Sequence, residues 1–205
     1  MRNLILLTLL GLAFTTCDQI TPNGLNRPAD PYAEPSIEND ALNVIVEIPA
    51  GTNHKIEFKP ERGFANDTLA GGATRIVNFL PYPGNYGFVP STLMDASKGG
   101  DGDPLDVLVL AESLPTGTKI ATRPIAALLL RDRGEIDTKI IAVPVDSTLR
   151  VFDVENFLEF SLEHNAALRI IENWFLHYKG PKLMELQRWE DENYAWREVR
   201  KWKMD

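Results

Sequence analysis

Hydrophobic positions change their spacing three times along the chain. Leu4 to Phe14 is an unbroken apolar run. After a polar stretch, apolar residues return from Ala41 in short groups separated by Gly, Pro and Asp, at 44–48, 55–59, 75–80, 107–110, 120–130 and 139–145. Within 55–59, Ile56 and Phe58 alternate with Lys and Glu, and 107–110 is continuously apolar. Groups of that length and period predict strands. None is followed by a helical crossover, which argues against a doubly wound parallel sheet and for a small antiparallel barrel. In the last third Leu168, Ile171, Phe175 and Tyr178 recur at three and four residues, and Tyr194, Val199 and Trp202 suggest a second helix. Gly180-Pro181 should stop the first of them.

The opening run is too short to span a bilayer, which takes about 20 apolar residues. Preceded by Arg2 and followed by Thr15-Thr16-Cys17, it has the plan of an export signal. Cys17 is the chain's single cysteine and sits where the run ends, as in a bacterial lipoprotein signal, in which that cysteine becomes the lipid-carrying first residue. A buried N-terminal helix is the competing reading, but an uninterrupted apolar run makes a poor amphipathic one. Residues 18–40 are polar and broken by Pro22, Pro28, Pro31 and Pro35, the composition of a tether. The expected organisation is therefore a signal at 1–17, a tether at 18–40 and a folded domain at 41–205. The expected location is outside the cytoplasm, periplasmic or held on a membrane solely by a lipid anchor.

Composition narrows the function. The chain has 205 residues, 44% hydrophobic and 24% charged, enough for one domain with a full core. Its net charge of −8 argues against nucleic acid as a partner. One cysteine and three scattered histidines, His54, His164 and His177, exclude a disulfide framework and thiolate or His-pair zinc chemistry. Carboxylates are concentrated instead. Asp101, Asp103 and Asp106 fall within six residues at a strand entry, and Asp132 and Asp137 flank a turn between two apolar groups. Such clusters repel unless cations neutralise them, and oxygen ligands suit Mg²⁺ or Mn²⁺. Taken singly, each is also readable as a solvated turn. Glu47, Lys55, Glu57, Arg75, Tyr178 and Lys179 stand at the ends or polar faces of neighbouring elements, offering further carboxylate and a cationic set for a multiply charged anion.

These residues carry a resemblance. Residues 101–109, Asp-Gly-Asp-Pro-Leu-Asp-Val-Leu-Val, match the D-G-D-P-[LIVM]-D-V-L-V signature of soluble family I inorganic pyrophosphatases at every position. Around them Val46-Glu47-Ile48-Pro49-Ala50, Lys55-Ile56-Glu57, Arg75, Tyr82-Pro83-Gly84-Asn85-Tyr86-Gly87, Asp132, Asp137, Lys139 and His177-Tyr178-Lys179 occur in that family's order. The resemblance implies a mainly β fold, a five-stranded closed barrel of the oligonucleotide-binding type with two C-terminal helices. It also implies Mg²⁺-dependent hydrolysis of inorganic pyrophosphate to two phosphates by a metal-activated water, with Mn²⁺ as substitute and Ca²⁺ as inhibitor. Asp101, Asp106 and Asp137 would hold the tightest ion, with Asp132 and Glu57 serving others and Glu47 supporting their waters. Asp103 would be the general base. Lys55, Arg75, Lys139, Tyr178 and Lys179 would hold phosphate oxygens, with Tyr86 hydrogen-bonded inside the site. The compact length resembles bacterial members that form homo-oligomers. Two alternatives remain at this stage. A lipid-anchored module that only binds a polyanion with Ca²⁺ or Mg²⁺ has no use for a base at Asp103. A phosphatase for organic pyrophosphates needs a base or sugar pocket that no sequence feature supplies.

Overall fold

The computed structural model describes residues 26–204, so the apolar run, Thr15-Thr16 and Cys17 lie outside the described residues. The elements are β1 (Ile37–Glu38), β2 (Ala41–Ile48), β3 (Ile56–Lys59), β4 (Gly63–Asn66), β5 (Asn85–Phe88), β6 (Asp106–Val109), β7 (Lys119–Asp132), β8 (Glu135–Pro144), α1 (Phe157–Glu163), α2 (Asn165–His177), β9 (Met184–Asp191) and α3 (Glu192–Trp202). β2 pairs with β5, β5 with β6, β6 with β8, β8 with β7, and β7 with β2 again. That ring of five strands is the expected closed barrel. β1 and β9 extend it at the margins, while β3 and β4 form a separate two-stranded hairpin.

The expectation of an antiparallel barrel needs one correction. All ring pairings are antiparallel except β6 with β8, which is parallel. Strand direction cannot alternate around a closed ring with an odd number of members. At least one pair has to run the same way.

Ring strands are covered on both faces, which is why they read as near-continuous apolar runs. Leu108, Leu110, Leu128 and Ile141 join a core shared with Phe160, Ile171 and Phe175 of α1 and α2. Their neighbours Val107, Val109, Ala127 and Ile140 join a second core shared with Ala195, Val199 and Trp202 of α3. The helix period in the last third thus records one apolar stripe per helix. Asn156 caps α1 by accepting from the Glu159 N–H at 3.0 Å, and Asp191 caps α3 by accepting from the Tyr194 N–H at 2.8 Å.

Among the described residues three α-helices stand where two were expected, α1 being the addition. Residues 75–80 are not a strand: within them only the isolated bridge His54–Ile76 forms, with Thr68–Thr74 just before. Phe79 and Leu80 are exposed, and the Leu80 carbonyl accepts from the Trp174 indole at 2.8 Å instead of a ladder partner. Residues 26–40 are not free of the domain. Asn26 bridges Lys119, Ser36 is buried, and β1 pairs with β2.

Candidate active site

Glu47 enters the site through an irregularity in β2. Val46 pairs with Gly87 and Ile48 with Tyr86, so Glu47 is the extra residue of a bulge. Bulges re-aim side chains, and this one turns a carboxylate into the cleft. The chains approach closely at that point. A Cβ on Gly87 would lie 1.9 Å from the Ile45 carbonyl oxygen, so only glycine fits. Asn85, fully buried just before it, accepts from the N–H groups of Ala50 at 3.1 Å and Leu114 at 2.7 Å and donates to the Glu112 carbonyl at 2.9 Å. It fastens the loops at Ala50 and at Glu112 to Leu114 onto β5.

The acidic turn is fastened as firmly. Gly102 takes a left-handed φ of 85° and donates its N–H to the Met94 carbonyl at 2.8 Å. Asp101 accepts from the Asp103 N–H at 3.0 Å, and the Thr92 hydroxyl accepts from the Leu105 N–H at 2.9 Å. β6 then begins at Asp106, beside Lys139 of β8 in the parallel register. Asp137 lies two residues before Lys139 and shares its face of the strand. The Lys139 ammonium, 2% exposed, donates to Asp106, to Asp137 and, at 3.0 Å, to the Tyr86 hydroxyl.

Glu47, Lys55, Glu57, Tyr86, Asp101, Asp103, Asp106, Asp137, Lys139, Tyr178 and Lys179 line one cleft of about 120 Å³. Lys55 pairs with Glu57 at 2.8 Å, and Lys59, two residues on, reaches the same carboxylate at 3.4 Å. Tyr178 stacks on Trp174, with centroids 4.5 Å apart and planes 13° apart, where α2 ends. Asp132 is not in the cleft lining; it accepts from Lys179, which is, at 2.6 Å. Arg75 is not in the lining. It pairs with Asp67 at 3.1 Å, half-exposed, where the chain returns from the turn after β4.

Burial dominates the site's acid–base character. It raises the Glu47 carboxyl to about 8, with Asp106 and Glu57 adding to the rise and the Phe58 N–H bond opposing it. Burial likewise raises Asp101 to about 6, and it raises Asp103, with Asp106 adding its repulsion. Burial also works on Asp137, but the Lys139 ammonium overcomes it and keeps that carboxyl below its usual range. Two side-chain oxygens here, Asp132 Oδ1 and Asp137 Oδ2, are buried without a hydrogen-bond partner among the described residues.

The sequence model of the inorganic pyrophosphatase family matches residues 44–205. The chain belongs to this family. The Agrobacterium fabrum inorganic pyrophosphatase is 37% identical over 165 residues, 76% of this chain and 84% of that one. The Aquifex pyrophilus enzyme is 34% identical over 190 residues, 88% and 91% of the two chains. Among solved structures, the Thermus thermophilus pyrophosphatase superposes with a TM-score of 0.71 at 28% identity, covering 84% of this chain and 95% of that one.

Within this pyrophosphatase fold, the carboxylates and lysines expected from the sequence meet, except that Asp132 and Arg75 are not in the lining. Lys139, expected on phosphate, is turned toward carboxylates. Tyr32, Phe58, Lys59, Phe88 and Pro104 also line the cleft, and the sequence reading gives none of them a site role. Lys59 was findable, since it continues the two-residue period of Lys55 and Glu57.

Among the described residues no three carboxylates converge on one point, and the Lys139 ammonium stands between Asp106 and Asp137. Even so, the donor set fits a hard divalent cation. All of its candidate ligands are oxygens, and Asp137 and Asp132 each keep an unpartnered buried oxygen that a cation would satisfy.

Proposed function

We propose that the protein hydrolyses inorganic pyrophosphate to two phosphates in a Mg²⁺-dependent reaction, with Asp103 as general base. The observation that carries this reading is the meeting, in one cleft of a pyrophosphatase-family fold, of Asp101, Asp103, Asp106 and Asp137 with Lys55 and Lys179. Asp101, Asp106 and Asp137 would hold Mg²⁺, with Asp132, Glu57 and Glu47 serving further ions or their waters. When bound, the metal supplies Lewis-acid charge that lowers the pKa of the attacking water and offsets negative charge on the phosphate oxygens.

The chain's own groups do the rest. Asp103 accepts the proton as the water oxygen bonds to phosphorus, and the bond from phosphorus to the bridging oxygen breaks, releasing one phosphate. Lys55, Lys179 and the Tyr178 hydroxyl hold phosphate oxygens as charge moves to the leaving group. Burial raises the Tyr178 hydroxyl well above its ordinary value, so it stays protonated and able to donate. Arg75 would reach phosphate only by leaving Asp67.

The test is phosphate release from pyrophosphate. Turnover should require Mg²⁺ or Mn²⁺ and fall on adding Ca²⁺, whose longer, looser coordination positions reactants poorly. Phosphate release that survives exhaustive chelation defeats the metal assignment.

The chain is also proposed to be exported and lipid-anchored. Support comes from the run Leu4 to Phe14 ending at the single cysteine, Cys17. More than one acyl chain is needed for stable attachment. The native protein should sediment with membranes and Cys17→Ser should not; recovery of the Met1-intact chain in the cytosol refutes this.

A further inference from the structure

The β3–β4 hairpin delivers Glu57 and Lys59 to the cleft, with Lys55 at its entry, yet it lies outside the hydrogen-bonded ring. A two-stranded hairpin is marginal on its own in water, so contacts with the barrel must fix its place. Glu47 provides one by accepting from the Phe58 N–H at 2.7 Å. A small core provides the other: Ile45, Phe58 and Phe88 are buried together, with Tyr32 and Phe64 packed against them. Tyr32 differs from the rest of that set because it precedes residue 44, where the family match begins.

Tyr32 touches both sides of this joint. Its ring meets Phe58 of the hairpin edge-on, with centroids 4.9 Å apart, and Phe88 of the barrel at 5.1 Å. Its hydroxyl donates to the Phe58 carbonyl at 3.2 Å. The backbone of Phe58 is therefore gripped twice, its N–H by Glu47 and its C=O by Tyr32. The segment carrying Tyr32 is itself fastened. The Ser91 hydroxyl donates to the carbonyls of Tyr32 at 3.2 Å and Glu34 at 2.9 Å, and Lys119 pairs with Glu34 at 2.7 Å. The same Tyr32 forms part of the cleft wall.

We infer that Tyr32 is a positioning residue of the active site. Through the aromatic joint and its bond to Phe58 it sets where Lys55 and Glu57 stand relative to Asp103 and Asp106, which makes the segment before the family domain a working part of the site. The inference rests on the pyrophosphatase reading of the cleft.

The test compares Tyr32→Ala and Tyr32→Phe with wild type in the full chain. Tyr32→Ala should raise KM for pyrophosphate and the Mg²⁺ concentration at half-activity by about fivefold or more, with a smaller change in kcat. Tyr32→Phe keeps the ring but loses the bond to the Phe58 carbonyl, and should show a smaller, still measurable rise in KM and in exchange at residues 56–66. Hydrogen exchange, run without metal or substrate, should speed up in residues 56–66 of Tyr32→Ala and stay unchanged across β6, β7 and β8. KM and exchange both at wild-type values overturn the inference. So does exchange that rises uniformly over the barrel, since that marks a merely structural residue. If Tyr32→Ala fails to fold, Tyr32→Phe still decides: loss of the hydroxyl bond must then raise KM and local exchange measurably. Wild type without pyrophosphate turnover would refute the reading of the cleft, and the exchange comparison would still judge the clamp.

Discussion

Asp103→Asn is expected to lower turnover by about 10²–10⁴-fold, the range a positioned general base contributes, while leaving metal affinity largely intact. Asp103 lines the cleft, and its backbone is pinned by its N–H to Asp101 and by its carbonyl, which accepts from the Met94 N–H at 2.8 Å. An amide of the same shape should keep that turn in place while losing the ability to take a proton. Asp106→Asn is the necessary comparison. Asp106 shares the Lys139 ammonium with Asp137, so its charge belongs to the cation-binding arrangement. Its loss should weaken Mg²⁺ binding as well as turnover. Metal titration by calorimetry beside phosphate-release kinetics separates the two variants. Near-normal turnover of Asp103→Asn at neutral pH rules out the base assignment.

The acidic turn and its strand were legible because continuous apolar runs buried on both faces leave a strong signal, and because repelling carboxylates gathered at a strand entry demand a cation. β5 was not read as a strand because Pro83 and Gly84 precede it and Gly87 interrupts it, and both residue types signal loops. The structure uses Gly87 for close approach of two backbones, which has no signature in a single sequence. β9 escaped for the opposite reason. It is a polar strand beside β7 with only Met184 buried, so it shows no apolar alternation. Residues 75–80 misled because apolar composition was taken for burial.

Roles within the site divide the same way. Glu47 was found as a carboxylate, but the bulge that aims it depends on a register shift between β2 and β5. Tyr32 was hidden in a proline-broken stretch whose composition fits a tether. Its partners Phe58 and Phe88 lie 26 and 56 positions away, beyond any local period. Lys139 was read as a phosphate ligand, whereas parallel pairing of β6 with β8 sets it beside Asp106. An odd-membered ring must contain at least one parallel pair, and that it falls between β6 and β8 is a property of the closed topology that no segment carries alone.

Lys139→Met should give the largest loss of stability. The wild-type ammonium is almost fully enclosed and donates to Asp106, Asp137 and Tyr86. A buried ion pair adds little over an apolar substitute, but removing one partner strands the other charges, at a cost of about 3–5 kcal/mol. Here two carboxylates are left facing each other. The pH dependence distinguishes this from simple loss of packing. In wild type, Lys139 keeps Asp137 below its unfolded value despite burial, so the stability it contributes is present above that value and is lost as pH falls through the depressed one. In Lys139→Met, burial and the neighbouring carboxylate are opposed only by the weaker pull of Lys179 and Lys55, so the Asp137 carboxyl must rise. The penalty is then full at high pH and shrinks as acid protonates it. Urea unfolding in chelator should show a wide gap between variant and wild type at pH 8 and a narrower one at pH 5.5. Mg²⁺ should also narrow the gap at pH 8, because a cation that binds only the folded state stabilises it by linkage, and more so in the variant, where Lys139 no longer competes for Asp106 and Asp137. A gap that is absent at pH 8, or that widens on acidification, would mean that the ammonium is not what holds Asp137 ionised inside the fold.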